Sequence, residues 1–247
     1  MRKVMLAAAA LIGLNLGPAT ASPPVDDVIN PAVHSYILLD RTGSMSSIWD
    51  EALGSVNAYA ASVGEAEEGE PDTLKTIVNL AIFDAQDGLQ FDVLRRKVEA
   101  DTWSDVTHDE ASPRGMTPLF DAIGRMVALA EADAPEKAVL VIMTDGLENA
   151  SREMTGDGAR AALNRARERG WEVVFLGAEF ANFSDADLVG VVQEKSIAVG
   201  SGRFRETMSR LGKKSRDYAQ EPEATIEFDA DDRTASGEEE VKQRTGQ

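Results

Sequence analysis

Past residue 32 the chain alternates between two hydrophobic rhythms. Val33 to Leu39 is a short, increasingly apolar run that stops at Asp40, as a buried strand does. Ile48, Ala52, Val56, Tyr59, Ala60 and Val63 then recur at helical spacing, which predicts an amphipathic helix from Ser47 to about Gly64. Thr73 to Phe83 and Leu89 to Val98 have strand character, and Asp87-Gly88 between them is a hairpin signal. Leu119, Ile123, Met126, Val127 and Ala130 mark a second helix, with Pro118 where a first-turn proline is tolerated. Lys137 to Met143 is almost wholly apolar, as is a strand buried on both faces, and ends at Thr144-Asp145-Gly146. A helix over Gly158 to Arg169, a strand over Trp171 to Leu176, a short helix over Ser184 to Leu188, a weak strand at Ile197 to Val199 and a helix from Arg203 to about Ala219 follow. The alternation predicts an α/β fold: a doubly wound, mostly parallel sheet with one antiparallel edge strand and helices on both faces. In such sheets ligands bind beyond the carboxyl ends of the strands.

The two ends read differently. Residues 1–21 carry Arg2 and Lys3, an apolar stretch from Val4 to Leu16, and small residues at Ala19-Thr20-Ala21. This is the pattern of a secretory signal peptide cut before Ser22. The apolar stretch falls short of the roughly 20 residues a spanning helix needs, so no membrane insertion is expected after cleavage. A periplasmic or secreted location follows, or a cytoplasmic one if the start codon is misassigned. Residues 22–32, with Pro23, Pro24 and Pro31, read as an extended lead-in to a domain over 33–220. Residues 221–247 hold nine Asp/Glu against three Lys/Arg and few apolar side chains, which predicts a disordered acidic tail.

Composition narrows the chemistry. The 247 residues carry a net charge of −18 and no basic run, which argues against a nucleic-acid partner or an anionic membrane surface. With no cysteine, disulfides, thiolate metal sites and thiol nucleophiles are excluded, and oxygen donors become the main metal-binding resource.

Those donors concentrate in three loops at strand ends. Asp40, Thr42 and Ser44 are spaced so that a loop curling into a helix points one carboxylate and two hydroxyls at a common centre. Thr117 stands at a helix start in Gly115-Met116-Thr117-Pro118, and Asp145 leaves a buried strand. Two carboxylates and three hydroxyls form a hard donor set for a divalent cation, Mg²⁺ first, with Mn²⁺ and Ca²⁺ as alternatives. Around them, Arg41 and Met45 read as local packing or solvated surface, Glu148 and Asn149 as helix or turn caps, and Trp49, Trp103 and Trp171 as packing residues. His34 and His108 read as incidental.

In these residues the sequence resembles the von Willebrand factor type A family, whose metal-ion-dependent adhesion site combines an Asp-x-Ser-x-Ser loop with a later Thr and a later Asp. The resemblance runs from about Ser35 to Val199, with Asp40, Thr42 and Ser44 matching the loop, Thr117 the isolated Thr and Asp145 the final Asp. It implies a Rossmann-like fold and a non-enzymatic, protein-binding role in which a partner's acidic residue completes the metal shell. Thr42 replaces the usual first Ser and Met116 stands where a second Gly is common. Asp40-Arg-Thr-Gly-Ser also looks like the loop of aspartyl-phosphate enzymes, with Asp40 as nucleophile of a Mg²⁺-dependent phosphohydrolase. Thr42 stands where soluble members of that class place a second Asp, which disfavours this alternative. No Gly-x-Ser-x-Gly elbow and no phosphate-binding Walker loop occurs.

Overall fold

A computed structural model of the chain describes residues 33–65, 74–178, 184–221 and 223–245. The expected signal peptide and lead-in lie outside the described residues. Six strands, β1 (Val33–Asp40), β2 (Thr76–Ala85), β3 (Leu89–Glu99), β4 (Lys137–Thr144), β5 (Glu172–Ala178) and β6 (Ser196–Val199), form one sheet in the order β3-β2-β1-β4-β5-β6. All pairings are parallel except β2 with β3, the antiparallel hairpin at one edge. β1 lies between β2 and β4, so the chain order reverses at β1 and a crevice opens beyond its carboxyl end.

The period-two pattern of the strands divides the core between two faces. Ile37 and Leu39 of β1, with Val139, Val141 and Met143 of β4, face α1 (Trp49–Gly64) and α5 (Phe204–Gln220). Tyr36 and Leu38, with Ala138, Leu140 and Ile142, face α2 (Leu119–Asp133), α3 (Gly156–Glu168) and the short α4 (Ser184–Leu188). Strands buried on both sides must be apolar at every position, which is why β1, β4 and β5 read as continuous hydrophobic runs. The helix expected from Ser47 begins at Trp49, because Gly43 to Ser47 forms a 3₁₀ turn that carries the Asp40 loop into α1.

The acidic C-terminal segment is folded, contrary to its expected disorder. It forms α6 (Ala230–Ser236) and α7 (Glu238–Thr245), and it buries Ile226, Phe228 and Val241. Three of its acids are paired: Lys214 reaches Asp229 and Asp232 at 3.1 and 2.9 Å, and Arg233 and Lys242 reach Glu238 at 2.8 and 3.2 Å. The segment lies along β6, whose outer edge pairs with no other strand among the described residues: Gly200 N donates to Ser236 O, Ala198 N to Glu238 Oε1 and Arg233 Nη1 to Ser196 O. These bonds occupy the unpaired edge of the sheet, which would otherwise offer a template for another strand. At the opposite edge, β3 carries Arg95, Arg96 and Lys97, with Lys97 at a φ of 51° and a break in the β2–β3 register nearby. Charge and irregularity guard that side.

Removal of residues 222–247 should therefore convert a monodisperse chain into self-associating species, seen by light scattering after size-exclusion chromatography. Glu238→Ala should lower stability by about 2 kcal/mol, because it strips hydrogen bonds from charged donors, and chemical denaturation measures this. A truncated chain as monomeric and as stable as the full one would remove the edge-guard role.

Candidate functional site

The site is assembled by the sheet order. β1 and β4 are neighbours, so Asp40 at the end of one and Thr144-Asp145 at the end of the other emerge side by side. Asp40 is fully buried. Its Oδ1 accepts the Thr42 N–H at 2.7 Å, which turns the chain back over the carboxylate, and its Oδ2 accepts the Thr144 hydroxyl at 2.6 Å. The Ser44 hydroxyl donates to Asp145 Oδ1 at 2.7 Å and lies 3.2 Å from the Thr42 hydroxyl. Oxygens from the first and third loops thus meet at separations near 3 Å.

Thr117 is brought to the same edge by backbone pairing. Gly43 N donates to Gly115 O at 3.3 Å, Arg114 N to Arg41 O at 2.8 Å, and Ala85 and Met116 exchange two hydrogen bonds of 2.9 Å. Gly115 has φ +73°, and a Cβ there would stand 2.4 Å from Ala85 O, so only glycine permits this approach. Asn149 holds Thr117 from the other side, its Oδ1 accepting the Thr117 N–H at 2.9 Å. Gly146 leaves the centre open: a Cβ there would stand 3.0 Å from Thr117 Oγ1 and 3.7 Å from Ser44 Oγ. The Ser44 and Thr117 hydroxyls thus both border the space that a side chain there would fill.

Burial pushes the Asp40 carboxyl up to about 7, against the lowering effect of the Thr144 and Thr42 hydrogen bonds, and the nearby Asp145 raises it further. Burial also raises Asp145, with the Ser44 hydrogen bond opposing it. Two carboxyls are therefore held where their charged forms are poorly solvated, an arrangement that a hard cation relieves. The donor set fits one. A small octahedral ion with bonds of about 2.1 Å spaces adjacent ligand oxygens about 3 Å apart, and Ser44 lies 2.7 Å from Asp145 Oδ1 and 3.2 Å from Thr42 Oγ1. Among the described residues no group of three or more His, Cys, Asp or Glu side chains is arranged to hold a metal ion, so a cation here would rely on hydroxyls as much as carboxylates.

Several residues that support the site were not singled out in the sequence. Asp84, fully buried at the end of β2, binds Arg41 Nε at 2.6 Å and Arg114 Nε at 3.2 Å, and so ties the first and second loops together. A carboxylate ending an apolar strand was the available signal, the same one that marked Asp40. Arg41 is buried and also reaches Asp92, and Met45 is fully in the core, so both are packing residues. Glu148 Oε2 accepts the Phe120 N–H at the start of α2, and Asp121 accepts the N–H groups of Arg152, Glu153 and Met154. Trp49, Trp103 and Trp171 each donate an indole N–H to a loop or helix oxygen.

No family model and no curated protein sequence matches the chain. Solved structures do. The manganese-loaded TRAP protein of Plasmodium vivax is 18% identical, with a TM-score of 0.56 over 76% of this chain and 75% of that one. The vWF domain of the type V pili tip protein Mfa5 from Porphyromonas gingivalis is 10% identical, with a TM-score of 0.55 over 79% of this chain and 98% of the other. Proximal thread matrix protein 1 of the mussel byssus, with a zinc-occupied MIDAS motif, is 14% identical at a TM-score of 0.50, over 77% of this chain. This chain spans about half the length of that byssus protein, 48%. The chain has the von Willebrand factor type A fold.

The raised carboxyls have a consequence in the cation-free chain. Asp40 binds a proton more tightly folded than unfolded, so its contribution is present below about pH 4 and is lost as pH rises through about 7. The melting temperature of chelator-treated protein should fall across that window, and Asp40→Asn should flatten the slope. An unchanged slope in Asp40→Asn would remove Asp40 as its source. Gly146→Ala should leave the chain folded by circular dichroism while weakening cation binding by about tenfold or more, as measured by calorimetry, because its Cβ displaces the Thr117 hydroxyl.

Proposed function

We propose that the chain is a divalent-cation-dependent protein-binding module, of the adhesion or scaffold kind, and not an enzyme. In this reading Asp40, Thr42, Ser44, Thr117 and Asp145 hold the cation, and an acidic residue of a protein partner completes its shell. The carrying observation is the convergence of hydroxyls and carboxylates from separate loops, with Ser44 Oγ within hydrogen-bonding distance of both Asp145 and Thr42. When bound, the cation supplies a Lewis-acidic position for a partner oxygen. The chain's own residues fix where that position lies: Asp40 is immobilised through both oxygens, Thr117 is held by backbone pairing, and Gly146 keeps the approach clear.

Mg²⁺ suits the observed oxygen spacing and the hydroxyl-rich set, with Mn²⁺ close in size. The fold shared with manganese-loaded TRAP and with the zinc-occupied byssus protein supports a divalent cation at this edge. Two formal charges from the protein leave a divalent cation receptive to one more anionic ligand. We place the module in the periplasm or outside the cell, on the signal-like pattern of residues 1–21. No helix among the described residues is long and apolar enough to cross a membrane.

Titration of the chelator-stripped chain with Mg²⁺, Mn²⁺ and Ca²⁺ should reveal one saturable site that is lost in both Asp40→Ala and Asp145→Ala. Absence of binding overturns the five-residue assignment. Hydrolysis of a generic phosphate ester that depends on Asp40 would instead establish the phosphohydrolase reading. For the location, mass spectrometry of an exported fraction should find a chain that begins near Ser22, and intact Met1 in cytosol would exclude export.

A further inference from the structure

The surface beside the candidate site is neither uniformly polar nor uniformly acidic. Five large apolar side chains are exposed among the described residues, and two of them, Met116 at 54% and Leu147 at 47%, stand within two positions of Thr117 and Asp145. Exposed apolar side chains that cluster at one place mark an interaction surface. Met116 also forms one wall of a groove of about 250 Å³ that runs between the β2–β3 turn, at Gln86 and Gly88, and the loop from Asn149 to Arg152. The groove is continuous with the site, because Asn149 is bonded to the backbone of Thr117 in both directions.

The groove walls are rigid. Met116 is pinned by its paired bonds to Ala85, while Glu148 accepts the N–H groups of Ala150 and Ser151 and Asp121 accepts that of Arg152. Its lining carries one charged side chain, the cation Arg152, set against Asp87 of the β2–β3 turn. The Arg152 guanidinium lies at the groove wall, and its pairing is a 3.4 Å contact with Asp87, both side chains being at least two-thirds exposed. Such a pair contributes little and is readily exchanged for a better carboxylate. Two residues before Met116, Arg114 binds the buried Asp84 through its Nε at 3.2 Å, with its side chain 42% exposed.

We infer that this groove reads the sequence of the partner next to its metal-seeking acidic residue: a bulky apolar side chain packs on Met116, and a second carboxylate takes Arg152 from Asp87. The inference rests on the proposed cation-dependent function and names the partner's chemistry more closely, as an acidic segment with an apolar residue beside its first carboxylate. Charge complementarity selects this occupant. The chain carries a net charge of −18, so a generally acidic partner is repelled at long range. A short acidic-apolar-acidic segment would meet the cation and an arginine at contact distance, well inside the salt screening length of about 8 Å.

Fluorescence anisotropy of labelled synthetic peptides on the full chain in Mg²⁺ tests this. One set carries a single Asp in a Gly/Ser background, a second places Leu on either side of that Asp, and a third adds Glu or Lys a few residues beyond the Leu. Leu should tighten binding by about tenfold through apolar burial, and Glu should bind about threefold better than Lys. Met116→Ser should abolish the gain from Leu, and Arg152→Glu should reverse the preference between Glu and Lys, both with unchanged Mg²⁺ affinity by calorimetry. Because both side chains are exposed, reversal of charge preference at Arg152 reads the contact and not the fold. Mg²⁺-dependent binding that is indifferent to Leu, Glu and Lys overturns the groove and leaves the proposed function standing. A chain that takes up Mg²⁺ yet binds none of the peptides overturns the carboxylate-completed shell, and the groove inference with it.

Discussion

A carboxylate buried at the end of the central strand sets the terms for the rest of this structure. Asp40 has no exposed surface, yet it is the residue on which the first loop turns. Transfer of an ionised carboxylate from water to a protein interior is costly unless hydrogen bonds or charge replace the lost solvation. The Thr42 amide and the Thr144 hydroxyl replace part of it, one at each oxygen, and a carboxyl pushed up to about 7 records the remainder. Asp145 adds a second poorly solvated carboxyl through the same crevice. A structure that relieved this locally would place an arginine there, as it does at Asp84, where Arg41 and Arg114 converge. At Asp40 the surrounding groups are hydroxyls, which accept a cation and do not replace one. The contrast between these two strand-end carboxylates, adjacent in the sheet, separates a structural clamp from a site.

The clamp explains why the site is held without large buried area. Loops at the carboxyl ends of strands have no sheet to order them, and here carboxylates and amides from neighbouring loops supply that order. Asp84 links the first and second loops, Asn149 links the second and third, and Glu148 and Asp121 fold the segment after Asp145 against the start of α2. Each is a charge-assisted or backbone-directed bond in a shielded position, where such bonds are strongest. Groups fixed in this way lose little further freedom on binding, so more of the intrinsic interaction appears as affinity.

The fold and the site's raw materials were legible in the sequence because they follow short-range rules. Strand period, helix period and a polar residue ending an apolar run are properties of neighbouring residues, and they located β1, β4, α1 and α2 and the loops that carry the candidate donors Asp40, Thr42, Ser44, Thr117 and Asp145. What escaped depends on pairings distant in the chain. Thr144 was read as part of a loop, but its hydroxyl serves Asp40, 104 residues away. Arg41 read as solvated surface or packing, and only the return of β2 beside β1 shows the carboxylate that buries it. The acidic C-terminal segment misled most. Its three buried apolar residues, Ile226, Phe228 and Val241, are too sparse to show a period, and its acids gain partners in α5 and within the segment itself. Composition measures charge without its counter-charge, so a paired acidic segment reads as an unfolded one.

That segment also changes what the net charge means for recognition. Nine of the 43 acidic residues lie in α6, α7 and the residues before them, against β6, and part of that charge is neutralised by Lys214, Arg210, Arg233 and Lys242. β6 is the last strand of the order, two strands beyond β4, whereas the groove beside the candidate site lies over β2, on the other side of β1. Strands spaced about 4.8 Å apart put the two regions farther apart than the Debye length of about 8 Å in physiological salt. The field near the groove is therefore governed by the local pairs Arg152–Asp87 and Arg114–Asp84 and by the carboxyls of the oxygen cluster, more than by the C-terminal segment. Net charge limits which surfaces approach the protein from a distance, and in the proposed function the local arrangement of Arg152 and the five candidate oxygen donors selects among them.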